Sequence, residues 1–154
     1  MSHPLELKII PVIQVAIIAA FMYGAAQFLP VSTTLLEYKW LIWSIFIAIG
    51  SFFGLAGIVS FYLAKTTVNP EKPEKASTLV TSGIYKVTRN PMYVGLVCFL
   101  IAWAAWLGSL YSLVFIVVFV LYMNRFQITP EERALTKLFG QDYQDYCQKV
   151  RRWL

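Results

Sequence analysis

Three long stretches without charge decide what this chain can fold into. From Ile9 to Pro30 the strongly polar side chains are Gln14 and Gln27 alone, Trp40 to Ala64 carries no charge, and Pro91 to Asn124 carries none. A helix of about 20 apolar residues crosses a bilayer core of roughly 30 Å, where backbone N–H and C=O groups must pair internally. A chain of 154 residues built around such stretches is expected to be all-α and integral to a membrane. Its charged fraction of 14%, against about 25% in soluble domains, points the same way.

The third stretch is too long for one span. Its 34 residues would form a helix of roughly 50 Å. Gly108-Ser109 lies near its middle, flanked by Trp103, Trp106 and Tyr111, rings that favour headgroup depth. The reading is a tight helical hairpin with short spans near 92–107 and 110–125, a buried or re-entrant hairpin being the alternative. About four membrane helices result, in a single membrane domain over 1–154 whose first 64 residues hold two N-terminal spans. The N-terminal apolar stretch has no clear small-x-small cleavage site before Pro30 and is expected to remain as the first span.

Charge sets the orientation. With four spans, Lys8, Lys65, Lys72, Lys75, Lys86, Arg89, Arg125, Arg133, Lys137, Lys149, Arg151 and Arg152 fall on one side and Lys39 on the other. That bias predicts cytoplasmic N- and C-termini. The net charge of +5 then follows from topology and attraction to anionic lipid, and no nucleic-acid partner is expected. Cys98 and Cys147 form no disulfide framework, and a lone His3 without a Cys/His cluster predicts no metal site.

Gly50, Gly54 and Gly57 read as close helix packing. After Pro70 and Pro73, which stop helices, Thr78 to Thr81 can form a short extended piece before a turn at Ser82-Gly83. In "RNP", Asn90 suits an N-cap and Pro91 the first helical position. Arg89 does not fit that account, because it adds positive charge to a positive helix end. A phosphate or carboxylate ligand removes the conflict, as would lipid headgroups. In the tail, Thr129, Pro130 and Glu132 have the spacing of a capping box. Beyond Gly140, Tyr143, Tyr146, Val150 and Trp153 recur at helical spacing among charges. That pattern predicts a cytoplasmic amphipathic C-terminal helix whose aromatic stripe anchors it at the interface.

The order of these pieces carries more than each alone. Gly83, Tyr85, Arg89, Asn90, Pro91, Tyr93 and Gly95 are followed by an apolar hairpin. Then come Glu131, Glu132, Leu135, Phe139, Gly140, Tyr143 and Tyr146, with a basic-aromatic end. Over residues 65–154 this resembles the isoprenylcysteine carboxyl methyltransferase family and its phospholipid methyltransferase relatives, in a short bacterial form. The resemblance implies S-adenosylmethionine as methyl donor and a membrane lipid or other lipophilic acceptor. It also implies a site at the cytoplasmic face of what would be a bacterial inner membrane. It carries cofactor binding onto Gly83, Tyr85, Arg89, Asn90, Pro91, Tyr93, Gly95, Glu131 and Glu132. Arg89 would pair with the cofactor carboxylate, Glu131 or Glu132 with its α-ammonium, and Tyr85 or Tyr93 would face adenine or the sulfonium. Members acting on prenylated cysteine have histidine where Asn90 stands, so the reaction class transfers better than the acceptor. Arg125, with Asn124 beside it, is either the group that orients a carboxylate acceptor or a side chain reaching to headgroups. The competing readings are a non-catalytic scaffold for anionic lipid or a partner, and an NADPH-dependent enzyme similar to sterol reductases. The latter is disfavoured by the lack of a glycine-rich dinucleotide fingerprint.

Overall fold

The computed structural model of the chain describes residues 6–66 and 77–154. His3, Pro70, Pro73, Lys72 and Lys75 lie outside the described residues. Among the described residues the regular structure is helical, without a strand, so Thr78–Thr81 is irregular rather than paired. The order is α1 (Pro11–Ala26), α2 (Thr33–Glu37), α3 (Lys39–Leu63), α4 (Pro91–Leu107), α5 (Ser112–Tyr122), α6 (Thr129–Phe139) and α7 (Gln141–Lys149). A 3-10 turn over Gly83–Lys86 precedes α4, and a π-helical stretch over Met123–Ile128 joins α5 to α6.

Two helical runs, Lys39–Leu63 and Ser112–Phe139, are long and apolar enough to cross a membrane. α1 and α4 are apolar but shorter, at 16 and 17 residues. The hairpin forms where the glycine stands. Gly108 takes a left-handed conformation at φ 65°. Its N–H donates to the Ala105 carbonyl and that of Ser109 to the Ala104 carbonyl, a Schellman closure that a residue without a Cβ adopts freely. The Gly108 carbonyl in turn accepts from Ser32 N–H at 2.8 Å, which ties the loop before α2 to the hairpin.

Burial of apolar side chains gives little driving force in lipid, so close packing has to hold such helices together. α3 and α4 meet through glycines. A Cβ on Gly95 would lie 2.8 Å from the Gly50 carbonyl oxygen, and one on Gly57 would lie 2.8 Å from Met92 Cγ. α1 packs on the other side of the hairpin, where Met22, Leu100, Phe119, Met123 and Ile128 form a fully buried core. Trp103 Nε1 donates to the Ala19 carbonyl at 3.1 Å across that contact.

Two expectations from the tail are corrected. Thr129 does not start a helix: the chain reaches it already helical, and its hydroxyl donates back to the Asn124 carbonyl at 2.6 Å. Pro130 has no N–H to offer the preceding turn. The Phe126 carbonyl, which would have received it, accepts instead from Leu7 N–H at 3.1 Å. The π-helical register and this borrowed donor let the helix continue through a proline. The aromatic stripe of α7 also does not face a membrane surface. Tyr143 and Tyr146 are buried against the protein, and Tyr146 donates its hydroxyl to the Tyr85 carbonyl at 2.7 Å.

Candidate functional site

The polar end of the helices is assembled from segments far apart in sequence. Gly83, at φ 60°, opens the 3-10 turn. The turn brings Tyr85 edge-on to Phe61 of α3, with ring centroids 5.4 Å apart. Asn90 occupies the N-cap position of α4 and Pro91 its first turn, as their residue types predict. The Asn90 side chain does not cap, however; its Nδ2 donates to the Arg152 carbonyl at 2.8 Å. The buried Thr88 hydroxyl donates to the same carbonyl at 3.3 Å, and Arg89 N–H to the Arg151 carbonyl at 2.9 Å. Residues 151–153 thus lie across the segment that leads into α4.

The conflict between Arg89 and the helix end is met within the protein. Glu132 lies 3.1 Å from the Arg89 guanidinium, and Arg152 Nε donates to the same carboxylate at 3.0 Å. Two guanidiniums on one carboxylate leave a formal positive charge. Arg89 Nη1 also donates to Cys147 Sγ, while its buried Nε has no partner among the described residues, a donor whose burial costs free energy until something accepts from it.

Glu131 has different company. Its Oε1 accepts from the Tyr93 hydroxyl at 2.5 Å and from Gln127 Nε2 at 2.6 Å. It lies past the apolar part of its helical run, where the charges gather. Burial pushes its carboxyl up to about 7, against the pull of the two hydrogen bonds and with a smaller push from Glu132. Burial is also the main cause that holds the Tyr85, Tyr143 and Tyr146 phenols above their ordinary range, so all three are neutral and present uncharged rings.

These side chains share a cavity of about 470 Å³, within the 300–1,000 Å³ range of small-molecule sites. Of the residues singled out in the sequence, Tyr85, Arg89, Asn90, Tyr93, Gly95, Glu131 and Glu132 line it. Gly83 and Pro91 shape the backbone beside it. Asn124 and Arg125 lie elsewhere: Asn124 Oδ1 accepts from Trp153 Nε1 at 3.0 Å, and the exposed Arg125 pairs with Glu6 at 3.1 Å. Glu6 also pairs with Arg133. Sequence reasoning missed Tyr143 and Tyr146 as cavity residues, Gln127 as a support for Glu131, and Arg152 as a partner of Glu132. Gln127 stands one helical turn before Glu131, a spacing that signals contact; the placement of Arg152 has no local signal.

The chain is a helical, membrane-type fold that gathers a carboxylate, a net-positive ion cluster and neutral aromatic rings at one end of a largely apolar cavity of small-molecule size. The family model for phospholipid methyltransferase matches residues 25–142, and the chain belongs to that family. It is 46% identical over 63 residues to an uncharacterized protein of Haemophilus influenzae, across 41% of this chain and the full length of that protein. It is 31% identical over 106 residues to protein-S-isoprenylcysteine O-methyltransferase of Schizosaccharomyces pombe. That match covers 68% of this chain but 44% of the yeast enzyme. No solved structure matches the chain.

Proposed function

We propose that this chain is an S-adenosylmethionine-dependent methyltransferase that acts on a lipophilic acceptor at the cytoplasmic face of a membrane. The observation that carries the reading is the convergence of Arg89 and Tyr93 with Glu131 and Glu132, some 40 residues later, on one cavity whose remaining walls are largely apolar. The residues fit the cofactor. An amino-acid head brings a carboxylate and an ammonium; the cavity offers Arg89 Nε, without a partner among the described residues, in a net-positive cluster, and the carboxylate of Glu131. Arg89 would hold the carboxylate, Glu131 the ammonium, and the neutral rings of Tyr85 and Tyr93 would face adenine or the sulfonium. When bound, the cofactor supplies a methyl group activated by positive sulfur.

The chain's own residues then align and exclude water. Gly95 brings α4 against α3, and Phe61, Met92 and Leu96 present apolar walls that keep the site dry. A carboxylate or thiolate acceptor needs no base, whereas an amine acceptor must lose a proton. The proposal gives no reacting role to Asn124 or Arg125, whose side chains engage Trp153 and Glu6. In the membrane we take α1, α3, α4 and the run from Ser112 as four spans of one domain, the short ones accommodated by local thinning. The site end then carries the positive charge and faces the cytoplasm.

The test is calorimetric titration of the protein in lipid nanodiscs with S-adenosylmethionine, S-adenosylhomocysteine and NADPH. Saturable binding of the two adenosyl compounds, lost in Arg89→Ala, is the expected result. Folded protein that binds neither would overturn the reading.

A further inference from the structure

We propose that Gly54 and Phe99 set the length of the hydrocarbon tail carried by the acceptor, an inference that rests on the lipophilic-acceptor reading above. The cavity is two-sided. Its polar groups gather where Phe61 meets Tyr85 and where Arg89 and Asn90 lead into α4. From that level it runs down between α3 and α4. α3 contributes Gly54, Ile58 and Phe61, and α4 contributes Met92, Leu96 and Phe99. Each set has the spacing i, i+4, i+7 of a single helical stripe. Seven residues at 1.5 Å per residue make this arm roughly 10 Å deep, and none of the six residues carries a polar side chain.

The arm has a floor and a gap above it. The Phe99 ring rests where Gly50 lacks a side chain: a Cβ there would lie 2.8 Å from Phe99 Cε1. One turn closer to the polar end, a Cβ on Gly54 would meet nothing within 4 Å among the described residues, although Gly54 is on the cavity wall. The space that a side chain at 54 would take is therefore open, in line with Ile58 and Phe61. An arm of this shape suits one linear alkyl or prenyl tail, with its methyl-accepting head among Arg89, Tyr93 and Glu131. The rim is apolar as well: Ile58 of α3 and Val12 of α1 line the cavity and are 50% and 64% exposed. A tail can enter there from the lipid without crossing the polar end.

The experiment is photolabelling in nanodiscs with octanoic, dodecanoic and hexadecanoic acids that carry a diazirine at the ω-carbon. Wild-type protein should show saturable labelling of the Leu96–Phe99 segment, strongest for one tail length. Gly54→Leu should cut that labelling by at least about tenfold, because its side chain fills room that the tail would otherwise occupy. It should move the optimum to a shorter tail and leave S-adenosylmethionine binding unchanged. Phe99→Ala should move the optimum to a longer one. If Gly54→Leu fails to insert, Gly54→Ala carries the test with a smaller shift in the same direction. Identical profiles in wild type and the Gly54 variant would overturn the proposal, as would unsaturable labelling spread over the lipid-facing Leu55 and Val59. The cofactor reading is judged apart: wild type that labels as expected but binds no S-adenosylmethionine refutes that reading and leaves the arm intact.

Discussion

The two ends of the molecule begin from similar sequence and finish differently. Each has a cation beside aromatic residues where an apolar helix begins: Lys39 with Trp40 and Trp43, and Arg89 with Tyr85 and Tyr93. At the first end the cation is met by the faces of aromatic rings. Lys39 Nζ lies 5.3 Å from the Trp106 ring centroid and 5.9 Å from that of Trp40, and Trp40, Trp43 and Trp106 meet edge-on or tilted. Such a cluster suits an interfacial anchor. At the other end Arg89 is met by Glu132, Cys147 and the Arg151 carbonyl, groups brought from over 40 residues away. Such convergence orders charged side chains in a partly buried place, a cost an anchor has no need to bear. A site differs from an anchor in what meets the cation: here a carboxylate, a thiol and a carbonyl rather than the faces of rings.

The sharpest way to break this comparison is to remove one cation from each end. Arg89→Ala should lower S-adenosylmethionine affinity about a hundredfold or more, as for a truncated partner of a buried charged pair. Lys39→Ala should leave affinity within about twofold and cost at most about 1 kcal/mol of stability. Equal losses at both ends would sink the distinction. Next in size is Gly95→Ala, which forces a methyl against the Gly50 carbonyl. A loss of about 1–3 kcal/mol in thermal or denaturant unfolding is expected, with Lys39→Ala as the quiet control.

Acidity gives a further contrast, because Glu37 at the hairpin end is exposed whereas Glu131 is enclosed at the cavity. The folded-state value near 7 lies above the ordinary 4.5, so the native chain binds this proton more tightly than the unfolded one. The linked stability is present below the ordinary value and is lost as pH rises through about 7. Cofactor affinity should run the opposite way, rising about tenfold from pH 6 to pH 8 as Glu131 ionises. Titrations at a series of pH values check the affinity, and unfolding of Glu131→Gln, which should lose the sloping stability, checks the assignment. The smallest effect is expected from Arg152→Ala. Its guanidinium is partly open, and Glu132 keeps Arg89, so a loss of about three- to tenfold in affinity is expected.

Where local chemistry decides the outcome, the sequence could be read. Gly108 predicts the hairpin because the chain there needs a left-handed residue. Pro91 predicts the start of α4, and the glycines of α3 predict its close approach to α4. Tyr85, Arg89, Tyr93 and Glu131 came forward as candidates, and they share one cavity. What was not legible is what depends on distant partners. Thr129-Pro130 looks like a helix start, but the chain reaches it already helical, and Leu7 gives the Phe126 carbonyl the donor that Pro130 lacks. Tyr143 and Tyr146 look like a membrane stripe until Tyr85 offers a carbonyl to Tyr146. Asn90 looks like a cap until the Arg152 carbonyl takes its amide.

The donor that Leu7 lends to the Phe126 carbonyl has a consequence for engineering. Glu131 and Glu132 stand on a helix whose passage through Pro130 is completed by a residue from the opposite end of the chain, and Glu6 pins that same segment to Arg125 and Arg133. Neither Glu6 and Leu7 nor Arg151 to Trp153 falls within the span matched by the family model. A graft of the motif-bearing stretch onto another helical scaffold would carry the ligands and leave their scaffolding behind. The recipient would have to replace the Leu7 donor and the Glu6 contacts before the transplanted carboxylates could point the right way.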